Sequence, residues 1–345
     1  MAGDVLFNEI PGRDGAIGII TLNRPTVLNS LNHQMIVDMF QQLTTWKDDG
    51  AIKAVVITGS GERAFCAGGD LRFTYELHQQ QSENITAFFK DEYRLNSLIY
   101  HFPKPYIAFL NGITMGGGVG VSIHGSHRIA SERLMFAMPE TSIGLFPDVG
   151  GTYFLPRLPH HLGFYLGLTG ARIHADDCVA FTIAQHKMLS SSFNDMINLL
   201  ADTSLKQDAN TKTTRVIEQF TVDHHPSSLF ADMPLIEEYF SEKTIEDMMA
   251  KLKQASHPLL KNAYDTLLKK SPTSLKVTLA ALLKGATLSF DECMTQEYRL
   301  VTSFLYHDDF FEGIRAVIID KDQKPQWKPA HLDDVTEEMV TSYLG

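Results

Sequence analysis

Short apolar runs alternate with a helical pattern over the first third of the chain. Runs at 16–22, 54–58 and 106–110 are typical of buried β-strands, because each is bounded by Gly, Pro or Asn. Between the first two, the segment 32–46 carries five apolar residues at helical spacing: Met35, Ile36, Met39, Phe40 and Leu43. We therefore predict a helix over 32–46 between two strands.

A second helix, predicted over 84–101, presents a carboxylate on its apolar side. Five apolar residues lie three, four or seven positions from Glu92: Ile85, Phe88, Phe89, Leu95 and Ile99. Lone buried carboxylates are rare in proteins. Glu92 is thus a candidate pocket residue, and the alternative is a core charge paired with a cation.

Beyond residue 158 the pattern becomes mainly helical. Helices are predicted over 163–170, 174–181, 235–255, 258–269 and 272–284. Ser271 is the expected cap of the last one, with Pro272 at its first position. The stretch 190–228 is polar and irregular, which predicts a boundary near residue 200 between a domain at 1–200 and a helical C-terminal domain at 201–345.

Two glycine-rich loops follow predicted strands, at 59–70 and 115–120. Glycine permits positive φ and lets backbone N–H groups approach a ligand closely. The second loop opens a helix predicted over 117–124, whose first N–H groups favour negative charge and suit an oxyanion. The alternatives are a plain chain reversal for the first loop and tight helix packing for the second. Neither nucleotide-binding fingerprint, G-x-G-x-x-G or G-x-x-x-x-G-K-[ST], is present.

Two carboxylates eight residues apart, Glu140 and Asp148, lie in a run of apolar residues and glycines from 136 to 158. A charge in such a setting costs free energy unless it is partnered or used. We interpret this run as the floor of a catalytic site.

Composition excludes several classes of partner. The 345 residues are 44% hydrophobic and 21% charged, which is ordinary for a globular protein. A net charge of -11 argues against nucleic acid or an anionic membrane surface as a partner, because both need a basic footprint. No apolar run approaches the roughly 18 residues of a spanning helix.

Cysteine and histidine usage gives no metal motif. Cys66, Cys178 and Cys293 are far apart, which makes a disulfide framework or a zinc site improbable. The histidine pairs lack H-E-x-x-H context, so no metal is expected. We see neither a signal peptide nor an obvious transit peptide, so we expect a reduced compartment, the cytoplasm of a bacterium or the mitochondrial matrix of a eukaryote.

Three motifs in order resemble the enoyl-CoA hydratase/isomerase (crotonase) superfamily: Asn23-Arg24-Pro25 with Leu28-Asn29, then Ala64 to Asp70, then Asn111 to Gly118. The resemblance covers roughly residues 5–200. It implies an α/β fold, a crotonase-like spiral of ββα turns, followed here by an enlarged helical C-terminal part. It also implies an acyl-CoA thioester ligand.

A narrower resemblance rests on the run Met138 to Leu158 and on a C-terminal motif at 307–329. Both are similar to a branch of the superfamily that hydrolyses thioesters of short, branched 3-hydroxyacyl-CoA in valine breakdown. By motif position, Gly69 and Gly117 would supply the two N–H groups of an oxyanion hole, and Glu92 would be a substrate-pocket glutamate.

The hydratases of this superfamily carry two catalytic glutamates, and the position of the first is Gly120 here. The departure argues against addition of water to an alkene and leaves Glu140 as nucleophile or as general base. Asp148 occupies the position of the hydrolases' second carboxylate, which would position substrate or water and assist proton transfer. The alternatives are a hydratase or isomerase that uses Glu140, and a non-catalytic protein of an assembly.

The resemblance also suggests where CoA binds. Backbone at Leu28, Ala67, Gly69 and Leu71 is expected near the adenine end. No cofactor is expected apart from the CoA that belongs to the substrate. Assembly into a homo-oligomer is compatible with the superfamily.

Overall fold

The computed structural model describes residues 3–80, 82 and 85–344. The strands in this part of the chain are β1 (Val5–Gly12), β2 (Gly15–Leu22), β3 (Ile52–Gly59), β4 (Ala64–Cys66), β5 (Tyr106–Leu110), β6 (Ile113–Met115), β7 (His127–Ser131), β8 (Met135–Ala137), β9 (Ile173–His174) and β10 (His186–Met188).

Helices account for most of the remaining structure. They are α1 (His33–Asp48), α2 (Leu71–Gln79), α3 (Ile85–Tyr100), α4 (Gly117–Gly120), α5 (Gly151–Phe154), α6 (Leu162–Thr169), α7 (Ala175–Ala180), α8 (Phe193–Asp202), α9 (Ala209–Glu218), α10 (Met233–Phe240), α11 (Ile245–Lys253), α12 (Pro258–Leu267), α13 (Pro272–Gly285), α14 (Phe290–Leu305), α15 (Asp308–Ile314) and α16 (Glu337–Leu344). A short 3₁₀ turn covers Glu140–Ile143.

The strands form two sheets, with orders β1-β2-β3-β5-β7-β10 and β4-β6-β8-β9. In the larger sheet β1 and β2 are antiparallel, and the pairs from β2 to β10 are parallel. Three consecutive strand pairs, β3/β4, β5/β6 and β7/β8, each send one strand to each sheet. This repeated crossing confirms the predicted α/β spiral of ββα turns, and the many helices after α9 confirm the enlarged C-terminal part.

Several predicted elements are confirmed with small changes at their ends. The three predicted strands are β2, β3 and β5, and the helix predicted over 32–46 is α1. Helix α1 begins where predicted because the side chain of Asn32 accepts a hydrogen bond from the Met35 amide at 2.9 Å. The helix predicted from Asn84 is α3, and Asn84 itself lies outside the described residues.

Two predictions about helices are wrong in part. The single helix predicted over 235–255 is two, α10 and α11, and the Thr244 side chain accepts a hydrogen bond from the Asp247 amide to start the second. The stretch 190–228 is not irregular, because it contains α8 and α9. Residues of both helices, including Met196, Leu200 and Val216, belong to the core on one face of the larger sheet.

The chain divides into two compact units that alternate along the sequence. The first consists of Met1–Gly69, Arg94–Phe136 and Ile173–Ser227, and the second of Asp70–Tyr93, Ala137–Arg172 and Ser228–Gly345. The first unit holds the larger sheet, and the second holds α10 to α16. The division near residue 200 into domains at 1–200 and 201–345 stays a prediction.

Candidate active site

Two glycine-rich loops approach each other within the first unit. Strand β4 pairs with β6 in parallel, so the loops that follow them leave the sheet at the same edge. A Cβ atom at Gly68 would lie 3.4 Å from the Met115 carbonyl oxygen and 3.7 Å from the Gly117 amide nitrogen. The structure thus brings the loop of Gly69 beside the loop of Gly117, the two glycines predicted to form an oxyanion hole.

Backbone geometry explains why the second loop is made of glycine. Gly116 has φ +49° and ψ −123°, a region that side chains other than glycine rarely adopt. At Gly118 a Cβ atom would lie 2.8 Å from the Cys66 Cβ, and it would also overlap the Cys66 carbonyl oxygen. The helix that starts at Gly117 is only four residues long, shorter than the predicted 117–124. Its first amides lack intrahelical acceptors, as an oxyanion donor requires.

Three of the four backbone positions predicted to contact CoA lie in the first unit. The Ala67 amide donates to the Leu28 carbonyl oxygen at 3.0 Å. Gly69 forms an isolated parallel bridge with Leu31. Leu71 is the first residue of α2 and belongs to the second unit. Contact of these four residues with CoA stays a prediction.

The second unit gathers the three predicted carboxylates. Glu92 comes from α3, Glu140 from the 3₁₀ turn, and Asp148 from the loop before α5, and their exposed fractions are 2%, 6% and 5%. One buried oxygen of Glu92, Oε1, and one of Glu140, Oε2, have no hydrogen-bond partner among the described residues. Such oxygens are costly to bury and are expected to receive a donor from a ligand or from water.

Burial raises the pKa of each carboxyl group. Burial raises the pKa of Glu92 and of Glu140 well above the ordinary value, and the charge of Asp148 raises both further. Burial also raises the pKa of Asp148, to about 6, against a hydrogen bond from Tyr93 that lowers it. The three groups titrate as a coupled set, and burial together with the charge of Asp148 favours protonation of the two glutamates.

Tyr93 is a site residue that the sequence reasoning missed. Its hydroxyl donates to Asp148 Oδ2 at 2.7 Å, and the side chain is buried. The bond favours the ionised form of Asp148 and fixes the direction of its carboxylate. Tyr93 follows Glu92 directly in sequence, but nothing in the pattern connects it with a residue 55 positions away.

Lys270 is a second residue that was missed. It is buried, and its Nζ donates to the hydroxyl of Ser142, which lies in the same 3₁₀ turn as Glu140. Burial lowers the pKa of Lys270 to about 8, while the charge of Glu140 raises it. The lysine in turn lowers the pKa of Glu140, so it supplies positive charge that favours the ionised glutamate.

The C-terminal motif holds the segment that carries Lys270. Asp309 accepts hydrogen bonds from the Ser271 hydroxyl at 2.6 Å and from the Lys328 amide at 2.8 Å. Ser271 caps α13 as predicted, accepting from the Ser274 amide at 3.0 Å. The motif therefore contributes to the cluster indirectly, by fixing the start of α13.

The chemistry of its three carboxyl groups allows the cluster of Glu92, Glu140 and Asp148 to accept and donate protons at neutral pH. A carboxylate held near a protonated neighbour suits general acid–base catalysis or nucleophilic attack. Among residues 3–80, 82 and 85–344, no group of three or more His, Cys, Asp or Glu side chains is arranged to hold a metal ion.

Comparison with known proteins identifies the family. A family model described as Enoyl-CoA hydratase/isomerase matches residues 17–344. This chain belongs to that family. A chicken (Gallus gallus) relative named 3-hydroxyisobutyryl-CoA hydrolase, mitochondrial, is 43% identical over 98% of this chain and 88% of its own length. The human (Homo sapiens) protein of the same name is 42% identical over 96% of this chain and 87% of its own length.

Solved structures agree on the fold along the whole chain. A protein from Mycobacterium thermoresistibile described as a carnitinyl-CoA dehydratase has a TM-score of 0.91 at 36% identity, covering 100% of this chain and 97% of its own. A Rhodobacter sphaeroides protein described as an enoyl-CoA hydratase has a TM-score of 0.88 at 35% identity, covering 99% and 97%. The predicted family and fold are thereby confirmed.

Proposed function

We propose that this chain hydrolyses 3-hydroxyisobutyryl-CoA, and also 3-hydroxypropionyl-CoA, to the free hydroxy acid and CoA. The observation that carries the proposal is the buried cluster of Glu92, Glu140 and Asp148. Two of its oxygens, Glu92 Oε1 and Glu140 Oε2, have no hydrogen-bond partner among the described residues. Support comes from relatives that carry the name of this hydrolase and align over nearly the whole chain. The reaction belongs to valine breakdown.

In the proposed reaction the Gly69 and Gly117 amides bind the thioester oxygen as it becomes negative. Such a donor contributes on the order of 10²–10³ in rate. Glu140 either attacks the carbonyl carbon, giving a mixed anhydride that water then hydrolyses, or removes a proton from the attacking water. The C–S bond breaks, CoA leaves as a thiolate and takes up a proton, and Asp148 assists that proton transfer.

A second candidate is a crotonase-fold hydratase or isomerase that uses Glu140 for proton transfer at carbon. The descriptions of the two solved structures as a dehydratase and a hydratase favour it. Gly120 argues against it, since the first catalytic glutamate of the hydratases would stand there. A non-catalytic role in an assembly is a third option open to any fold, and the retained Glu140 and Asp148 argue against it.

One substrate separates these functions. With 3-hydroxyisobutyryl-CoA, a hydrolase releases free thiol, which a thiol reagent detects, and a hydratase running in reverse produces conjugated enoyl absorbance without thiol. We expect thiol release with no gain in that absorbance. Absorbance without thiol would establish the hydratase, and the absence of both signals would favour the isomerase or the non-catalytic assembly protein.

The pKa values of the cluster predict an acid limb in the pH profile. Attack needs Glu140 in its ionised form. Burial and the charge of Asp148 raise the pKa of Glu140 well above its ordinary value, and burial raises the pKa of Asp148 to about 6. We therefore expect an acid limb of kcat/KM that lies above the ordinary carboxyl range, because the coupled cluster of the free enzyme must lose a proton before attack. Tyr93→Phe removes a hydrogen bond that lowers the pKa of Asp148, so the acid limb of the cluster should move to higher pH.

The measurement is kcat/KM against pH for the parent and for Tyr93→Phe. Tyr306→Phe is the matched control, because Tyr306 is 81% exposed, and its profile should match that of the parent. A parent limb near the ordinary aspartate value of 3.8, or an unmoved limb in Tyr93→Phe, would contradict the assignment.

The proposal includes no metal and no cofactor besides the CoA of the substrate. Acyl-CoA is the proposed ligand, and a homo-oligomer is compatible with it. The named relatives are mitochondrial proteins, and we propose the matrix for this chain in a eukaryote and the cytoplasm in a bacterium. Within the described residues, none of the helices has the length and apolar character needed to cross a membrane.

A further inference from the structure

Another buried carboxylate, Glu297 of α14, has no part in the reaction described above. Its side chain is fully buried. Glu297 Oε2 accepts from the Gly150 amide at 2.7 Å, and Oε1 accepts from the Thr152 amide at 2.9 Å and from the Thr152 hydroxyl at 2.6 Å. All three donors belong to the segment that directly follows Asp148.

That segment has an unfavourable backbone, which explains why it needs external support. Val149 has φ +50° and Gly150 has φ +88°. For a β-branched residue a positive φ is strained, and it persists only when the surroundings enforce it. The Gly151 amide closes the turn by donating to the Asp148 carbonyl oxygen at 2.8 Å. The path of the chain at Asp148 is thus tied to Glu297.

We infer that Glu297 is a positioning residue for the proposed hydrolysis, acting through Asp148. Glu297 holds the backbone on the C-terminal side of Asp148, and the Tyr93 hydroxyl directs the carboxylate itself. The inference rests on the proposed function, since it presumes that Asp148 takes part in catalysis. A displacement of about 1 Å at such a group costs on the order of 10²-fold in rate.

The electrostatics of Glu297 agree with a carboxyl group that belongs to the same cluster. Burial raises its pKa to about 8, the hydrogen bonds from Thr152 and Gly150 lower it, and the charge of Asp148 raises it. Both oxygens face N–H donors, so the side chain must accept at both ends. A glutamine side chain cannot accept at both ends, because its NH₂ group would face one of the two backbone N–H groups, and both are donors.

Glu297→Gln is the first test. We expect kcat to fall about 10- to 10²-fold while KM stays within about twofold, because the acyl-CoA contacts are kept and the Asp148 carboxylate is displaced. Thr152→Val removes one of the three donors, the hydroxyl, and keeps the backbone amides. Its kcat should therefore fall by a smaller factor, again with little change in KM. Glu292→Gln on the same helix is the control: Glu292 is exposed, and glutamine also serves in its capping box with Ser289.

A double-mutant cycle separates positioning from general support of the fold. If Glu297 acts through Asp148, adding Glu297→Gln to a chain that already carries Asp148→Asn should lower kcat little further. Thiol release is followed over long times so that the low residual rate is measured. Thr152→Val is carried through the same cycle, which keeps the test decisive if Glu297→Gln does not fold.

Two results would overturn the inference: full turnover in Glu297→Gln, or equal losses in the parent and Asp148→Asn backgrounds for both substitutions. Failure of the proposed function is distinguishable, because the parent chain would then release no thiol from 3-hydroxyisobutyryl-CoA. If the parent hydrolyses this substrate but the effects of the two substitutions in the double-mutant cycle are additive, only the role of Glu297 is contradicted.

Discussion

Glu140→Gln is expected to lower kcat for thiol release by at least about 10²-fold, with acyl-CoA binding retained. Either mechanism, mixed anhydride or activated water, needs a carboxylate at this position, and a glutamine amide is neither nucleophile nor base. Burial and the charge of Asp148 raise the pKa of Glu140 well above its ordinary value, which makes its carboxylate a stronger base, and Lys270 opposes that rise. Steady-state kinetics on the purified variant gives the test.

Stability provides an independent control for this variant. Burial raises the pKa of Glu140, so the ionised form is disfavoured in the folded state, and glutamine of the same shape should leave the melting temperature unchanged or higher. Glu238→Gln, at an exposed position of α10, should change neither property. Near-normal turnover in a folded Glu140→Gln would remove Glu140 from its role.

Short-range patterns predicted much of the fold. The strands β2, β3 and β5 were found because their apolar runs are short and clearly bounded, and Glu92 was placed on a buried face by helical phase alone. The order of the glycine loops and the position of Glu140 within its motif came from the family resemblance. The strands, the helical phase of Glu92 and the motif around Glu140 share one property, which is that each is encoded in a short local segment of sequence.

The polar stretch at 190–228 shows where such patterns fail. Helices α8 and α9 bury one narrow apolar face against the sheet, and the remaining positions carry Asn, Asp, Thr and charged residues. Several of these residue types have modest helix propensity, so local composition favours an irregular segment. The helices form because tertiary packing on the sheet outweighs that preference.

Long-range contacts explain the other omissions. Tyr93 reaches Asp148 across 55 positions, Lys270 reaches Ser142 across 128, and Glu297 reaches Gly150 across 147. A tyrosine, a lysine and a glutamate on helices have many ordinary roles at a surface or in a core. Only the fold shows that these three side chains converge on the turns carrying Glu140 and Asp148.

Hydroxylated acyl-CoA esters are expected to be cleaved far better than their plain counterparts. Glu92 Oε1 and Glu140 Oε2 are buried without a hydrogen-bond partner among the described residues, and a 3-hydroxyl group offers the donor that such an oxygen lacks. A site built to bind a hydroxyl rejects the analogue without it by up to about 10⁴-fold, because its own polar atoms are left unpaired. We expect kcat/KM for 3-hydroxyisobutyryl-CoA to exceed that for isobutyryl-CoA by about 10²–10⁴-fold, and 3-hydroxypropionyl-CoA to exceed propionyl-CoA likewise.

The same reasoning predicts which substitution weakens the preference. Glu92→Ala removes one acceptor, so the ratio of kcat/KM between hydroxylated and plain esters should shrink by at least about tenfold, mainly through slower cleavage of the hydroxylated ester. Lys90→Ala, at an exposed position of the same helix, should leave the ratio unchanged. Equal kcat/KM for both kinds of ester in the parent would show that these oxygens do not select a hydroxyl, and a broad thioesterase would then be the better description. A parent preference that survives intact in Glu92→Ala would assign the selection to Glu140 or Asp148 instead.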